Sequence, residues 1–167
     1  IEFWHSFRVG RRGRGMLLPD LEGFSPLCAA GRQDGYGHLG VDVRRFVALW
    51  PAQALLIADI WEGTSAQDRA ISRFLVSADW RIEATEPALF VLDGCSVNVN
   101  VSVGTPGLVQ PAKWWPQFAT AEPAHALSVS AERLEGQSLH GLVTIFHWGV
   151  CPDVDGPLLL SRLRDLR

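Results

Sequence analysis

Two residues apart in the stretch "DGYGHLGVDVRRF", Tyr36 and His38 are the side chains here best suited by type and spacing to move a proton. A phenol and an imidazole on one face of a strand can abstract a proton and return one, the chemistry of β-elimination. Asp34-Gly35 and Gly37 surround them with turn chemistry, so the plainer reading makes Tyr36 a sandwich-corner anchor through its hydroxyl. Asp59 and Glu62 in "DIWEG" have the residue types of an acid and a base for glycoside hydrolysis, yet their position near a strand end reads more simply as a solvated hairpin. Neither pair is assigned a catalytic role.

Binding chemistry is easier to see. "SFRVGRRGRG", residues 6–15, holds Arg8, Arg11, Arg12 and Arg14 among glycines. Guanidiniums grip carboxylates and sulfates with two parallel hydrogen bonds, and glycine lets a ligand approach the backbone. Gly10, Gly13 and Gly15 are also what a tight hairpin connection or bulge requires. The stretch therefore reads first as a strand-to-strand connection and second as a local polyanion contact carried by Arg11, Arg12 and Arg14. Arginine-glycine tracts that bind RNA are longer and repeated, and this one has no second copy.

Among seven tryptophans, Trp114 and Trp115 stand side by side in "AKWWPQF". Neighbours in an extended segment point to opposite faces, so one is expected in the core and the other outside, where an indole stacks on sugar rings. Arg44 and Arg45 obey the same rule, with one expected inward and paired and the other solvated. The five histidines, His5, His38, His125, His140 and His147, lack HxH or HExxH spacing, so no metal site is expected. No nucleophile elbow, phosphate loop or dinucleotide fingerprint is present, and no cofactor is implied. Cys28, Cys95 and Cys151 are widely spaced and read as small apolar fillers, with one disulfide as the lesser alternative.

The elements that must position these residues are strands. Val97 to Val103 places valine at every second position, the signature of a strand with one buried and one wet face. Comparable runs span Phe3 to Val9, Val41 to Trp50, Ala54 to Trp61, Ala70 to Ser77, Ala88 to Leu92, Ala126 to Ala131 and Leu139 to Trp148. Turn-formers separate them at Asp34-Gly35, Glu62-Gly63-Thr64, Asp93-Gly94, Gly104 to Gly107 and Glu135-Gly136-Gln137. Only Pro157 to Arg167 could be a helix, or else a final strand plus tail. Short strands at this spacing predict an all-β fold, an antiparallel β-sandwich, occupying residues 1–167 as one domain with 152–167 as a C-terminal tail.

The 167 residues are 47% hydrophobic, enough for a substantial core. A net charge of −3 argues against a nucleic-acid partner, and no apolar run is long enough to span a bilayer as a helix. The chain begins at Ile1 inside an apparent strand, which suggests a piece of a longer protein, a partial domain.

Several stretches, in order, resemble the C-terminal β-sandwich of heparinase II/III-like polysaccharide lyases. "FWHSFRVGRRGRG" resembles a strand and basic turn of that family, and "DGYGHLGVDVRRFVALWPAQALLIADIWEG" its Gly-Tyr turn, arginine-bearing strand and acid-ended strand. "DRAISRFLVSADWRIE", "KWWPQFATAEPAHAL" and "GLVTIFHW" resemble the strands that follow. The resemblance covers nearly the whole chain and implies a supersandwich-like fold, an acidic polysaccharide as partner, and a helical N-terminal domain, absent here, that supplies catalytic tyrosine and histidine for β-elimination. It also implies an exported protein, periplasmic or secreted. The family's histidine-rich motif, which sometimes accompanies zinc, has no counterpart, and His5 precedes Ser6 rather than Asn. The expectation is a β-domain inactive alone that supports a catalytic domain and contacts acidic glycan through Arg11, Arg12, Arg14, Trp114 and Trp115. The alternatives are a non-catalytic carbohydrate-binding module or a structural interaction domain.

Overall fold

The computed structural model describes residues 2–5, 8–11, 13–19, 27–63, 70–94, 98–103, 105–117, 120–133 and 139–166. The expected turn at Glu135-Gly136-Gln137, Cys95 and Arg12 lie outside them. In chain order the strands are β1 (Glu2–His5), β2 (Arg8–Arg11), β3 (Gly15–Leu18), β4 (Leu27–Gln33), β5 (Val41–Trp50), β6 (Ala54–Gly63) and β7 (Ile71–Ser77). They continue as β8 (Arg81–Glu86), β9 (Leu89–Asp93), β10 (Asn98–Val103), β11 (Gly107–Gln117), β12 (Thr120–Ser130), β13 (Glu132–Arg133) and β14 (Leu139–His147), and helix α1 (Gly156–Asp165) follows.

Among the described residues the strands form an antiparallel sandwich. A large sheet runs β3-β4-β5-β6-β14-β10-β9-β8, with β13 also paired to β14. A small sheet runs β11-β12-β7, and β1 and β2 pair as a two-stranded ribbon. The run from Phe3 to Val9, expected as one strand, is thus divided between two antiparallel strands with Phe3 opposite Val9. An alternating pattern is the same for one long strand and for two short ones joined by a tight connection, so it could not distinguish them.

Each face of the large sheet buries a different partner, as the two-residue pleat repeat dictates. Phe46, Ala48, Leu56, Ala58 and Ile60 point to one face, where they pack against Leu159, Leu160 and Leu163 of α1. The helix begins where Asp155 accepts a hydrogen bond from the Leu158 N–H at 2.9 Å, with proline in its first turn. It lies so close to β14 that a Cβ on Gly141 would sit 2.7 Å from a Leu160 methyl. Its C-terminal carbonyls at Leu163 and Arg164 accept hydrogen bonds from Arg44, whose positive charge suits the negative end of the helix dipole. The other face buries Phe90, Leu92, Val101, Val103 and Leu142 against Leu127 and Val129 of the small sheet.

The small sheet covers only part of that second face. Leu127 and Val129 meet β9, β10 and β14, whereas the floor formed by β3, β4 and β5 faces outward past the edge of β7. That incomplete cover creates the groove described next.

Candidate functional site

Register fixes the floor of the groove. One rung crosses the large sheet as Leu17, Gly31, Arg45, Asp59 and Leu142, each opposite the next, and the following rung holds Gln33, Val43, Trp61 and His140. Side chains on one rung share a face, so Arg45 and Asp59 emerge side by side beneath β7. Ile71, Ser72 and Arg73 of β7 form one wall and Tyr36 stands at the end, enclosing an open groove of about 470 Å³.

Its centre is a charge network. Arg45 donates from Nε to Asp59 Oδ1 at 2.6 Å and from Nη2 to Oδ2 at 2.9 Å, a two-point grip on one carboxylate. Ser72 Oγ donates to the same Oδ2 at 2.8 Å and lies 3.4 Å from Arg45 Nη2. Asp59 is only 2% exposed, so these bonds replace the water it has lost, while the Arg45 side chain remains 51% exposed. The hydrogen bond and charge of Asp59 raise the Arg45 pKa above its ordinary value, against the opposing effect of burial. Arg32 and Arg73 border the groove but turn their side chains to other faces, Arg32 to Asp42 at 2.6 Å beside Arg44 and Arg73 to Ser128 Oγ at 3.3 Å.

These placements correct several expectations. Asp59 is not in a solvated hairpin but in the middle of β6, because β6 runs on to Gly63. Glu62 lies three residues on, hence on the opposite face, where it pairs with Arg44 at 3.6 Å; the two carboxylates do not address one site. Arg44 and Arg45 do point to opposite faces, but both are paired, since Arg44 also binds Asp42 at 2.8 Å. Tyr36 and His38 do not share a strand: His38 belongs to a single turn of 3-10 helix, Gly37–Leu39, and Tyr36 precedes it. Cys28 packs half-buried against the core, whereas Cys151 is exposed rather than a filler.

Arg11 ends β2, and Arg14 lies between β2 and β3. The Arg14 N–H donates to Asp34 Oδ1 at 2.5 Å and its carbonyl accepts from the Asp34 N–H at 3.1 Å, tying it to the connection that carries Tyr36. Trp114 and Trp115 are elsewhere. β7 pairs with β12 only as far as Ala124 opposite Ser77, whereas β11 and β12 continue to Trp114 opposite Glu122 and Gln117 opposite Thr120. The hairpin therefore projects past the small sheet, and neither indole enters the core: Trp114 is 47% and Trp115 59% exposed. From Ser72 to Ser77 and on to the Trp114 pair is roughly 20 Å along the strands. Arg14, Trp114 and Trp115 are not among the described residues that line the groove.

A stability prediction follows from the exposed indoles. Trp114→Ala and Trp115→Ala should each shift the urea midpoint by the equivalent of no more than about 0.5 kcal/mol, as surface changes do, against about 3 to 5 kcal/mol for a buried tryptophan. Chemical denaturation of both variants checks it.

Three cues could have revealed the network. Asp59 interrupts the apolar run "LLIADIW", and a carboxylate there demands a partner. A hairpin centred on Ala52, where Trp50 faces Ala54, also places Arg45 opposite Asp59. Ser72 gave no signal, because it comes from the other sheet.

No family model and no curated protein sequence matches the chain. Solved structures do. A heparinase III gene product superposes with a TM-score of 0.59 at 14% identity, over 80% of this chain and 21% of that one. A heparan sulfate lyase HepC mutant from Pedobacter heparinus gives 0.59 at 9% identity, over 84% of this chain and 22% of that one. A further heparinase III structure gives 0.54 at 12% identity, over 81% and 22%. The chain thus spans about a fifth of the length of the solved structures it matches. Its strands take up the heparinase III-like β-sandwich fold.

Proposed function

We propose that this chain is the β-domain of a heparinase III-like polysaccharide lyase, that it supports a helical catalytic domain and helps to hold an acidic polysaccharide, and that it has no turnover alone. The observation that carries this reading is the superposition of 80% of the chain on only 21% of a heparinase III, the relation of a supporting domain to a whole enzyme. The groove adds support, because the half-exposed Arg45 presents guanidinium donors there and suits a carboxylate- or sulfate-bearing chain. Among the described residues no group of three or more metal-ligating side chains gathers, and no helix is long and apolar enough to cross a membrane.

A direct assay tests it. On heparan sulfate the chain alone should produce no ultraviolet absorbance from unsaturated uronate, and co-expression with a helical domain encoded upstream of Ile1 should produce it. Turnover by this chain alone, or a gene that encodes no such helical domain, would overturn the reading.

The exposed indoles favour a second reading, a carbohydrate-binding module working through Trp114 and Trp115. Glycan binding lost on Trp115→Ala would support that reading instead.

A further inference from the structure

We propose that the groove beside β7 is an acidic-sugar subsite, in which Arg45 holds the carboxylate or sulfate of one residue of a glycan laid along the strand and the charge of Arg73 at the rim attracts it. The proposal rests on the reading of the domain as glycan-binding, and it assigns that binding to different residues from those the sequence suggested.

Preorganisation is the first argument. A guanidinium has five N–H donors, and Arg45 spends Nε and Nη2 on Asp59 and Ser72. Its Nη1 donors have no partner among the described residues, and half of the side chain faces the groove. An anion arriving there meets a fork already held in place, so little side-chain entropy is lost on binding. The buried carboxylate thus orients Arg45 and leaves one edge of it free.

Charge supplies the second argument. Asp59 balances Arg45, and Asp42 is shared by Arg32 and Arg44. Arg73 hydrogen-bonds Ser128 on the outer face of the small sheet and forms no ion pair among the described residues, so its charge remains uncompensated at the rim of the groove. One rigid donor edge inside the groove and one unbalanced cation at its rim together favour an anionic substituent held on Arg45.

Shape supplies the third. Opposite Arg45 the floor residue is Gly31, where an added Cβ would meet nothing nearer than the Met16 carbonyl oxygen at 3.4 Å. The missing side chain leaves room for a ring to lie against the sheet, with Tyr36 and Trp61 at the same end of the groove as aromatic surfaces. Arg73 also lines an adjoining groove of about 560 Å³ between Leu55, Trp80 and Trp148. A polymer lying along β7 can therefore pass from the charged groove to an apolar one that suits the hydrophobic faces of neighbouring rings.

The test is a calorimetric titration of this chain with three oligosaccharides: a heparan sulfate fragment, an unsulfated polyuronate and a neutral glucan. The two acidic ligands, or the sulfated one alone, should bind and the glucan should not; tight polyuronate binding identifies the carboxylate as the group held, and its failure identifies the sulfate. Gly31→Val should weaken acidic binding at least about tenfold by denying the ligand its contact with Arg45, and Arg73→Ala should weaken it about threefold through the lost charge at the rim. Both should keep the parental melting temperature, since Arg73 is exposed and the space above Gly31 is open. Arg45→Lys, which keeps the charge and loses the fork, should weaken binding similarly, and Trp114→Ala should change it less than twofold. If the chain binds acidic glycan and all three groove variants retain their affinity within twofold, the subsite is overturned while the proposed function stands. If no acidic glycan binds, both the subsite and the domain's glycan role fall.

Discussion

A chain that stops at Asp155 should lose its cooperative urea transition and bind a hydrophobic dye. Leu159, Leu160 and Leu163 of α1 are all buried, and they cover Phe46, Leu56 and Ile60 on the large sheet. Each leucine returned to water forfeits about 1.5 to 3 kcal/mol, so the three together approach the roughly 5 to 15 kcal/mol that holds a typical domain folded. The bared sheet face adds its own penalty and a surface for aggregation. Leu163→Ala is the graded form of the experiment. It should cost about 2 to 5 kcal/mol, and Asp155→Ala only about 1 kcal/mol, because a cap is one hydrogen bond and a core leucine is a packed side chain. A truncated chain with an unchanged urea midpoint would show that the sheet is stable without its helix. Gly141 makes the same argument from the other side: a Cβ there would push against Leu160, so Gly141→Ala should also lower the midpoint.

The sequence reveals strands where alternation and turn chemistry coincide. Val41 to Trp50 and Ala54 to Trp61 align with β5 and β6 because Pro51-Ala52-Gln53 separates two apolar runs, and the valines before Val103 mark β10. β4 passes unseen because "LCAAGRQ" has small residues and a glycine where a strand signal needs branched or aromatic ones. β11 is hidden by Pro111 and Pro116, which usually argue against a strand. It tolerates them as the outer strand of the small sheet, with one side of its backbone free of ladder partners among the described residues. The site was legible in halves. Arginine and aspartate in facing strands could be read from a hairpin register, but the groove exists only because the small sheet leaves β3 to β5 uncovered. No local pattern encodes how far one sheet overlaps another. For the same reason the tryptophans, correctly seen as an adjacent pair on an extended segment, could not be placed on a hairpin that projects beyond its neighbours.

Asp59→Ala should destabilise the domain by about 2 to 3 kcal/mol, the next largest effect expected here, and the cause is the loss of hydrogen bonds to a charged group. Two bonds from Arg45 and one from Ser72 converge on a carboxylate with almost no access to water. The loss stays below the roughly 3 to 5 kcal/mol of a wholly buried pair, because the stranded Arg45 is half exposed and can be hydrated in place. Replacing both partners, as in Arg45→Met with Asp59→Leu, should recover part of the loss, since no charge is then left without its counterpart. The pH dependence separates this account from a simple packing defect. Asp59 raises the Arg45 pKa above its already high ordinary value, first through its hydrogen bond, so the guanidinium is charged in the folded and the unfolded chain alike at any lower pH. The stabilisation is complete below the unfolded value and disappears only as pH climbs through the still higher folded one. Between about pH 7 and about pH 10, therefore, the gap between parent and Asp59→Ala should remain constant, whereas a lysine in place of Arg45 brings an ordinary pKa near 10.4 into that window's upper end. Urea denaturation of the parent, Asp59→Ala and Arg45→Lys across that range measures it. A gap that closes on the alkaline side for Asp59→Ala would mean that some group other than the arginine balances the carboxylate.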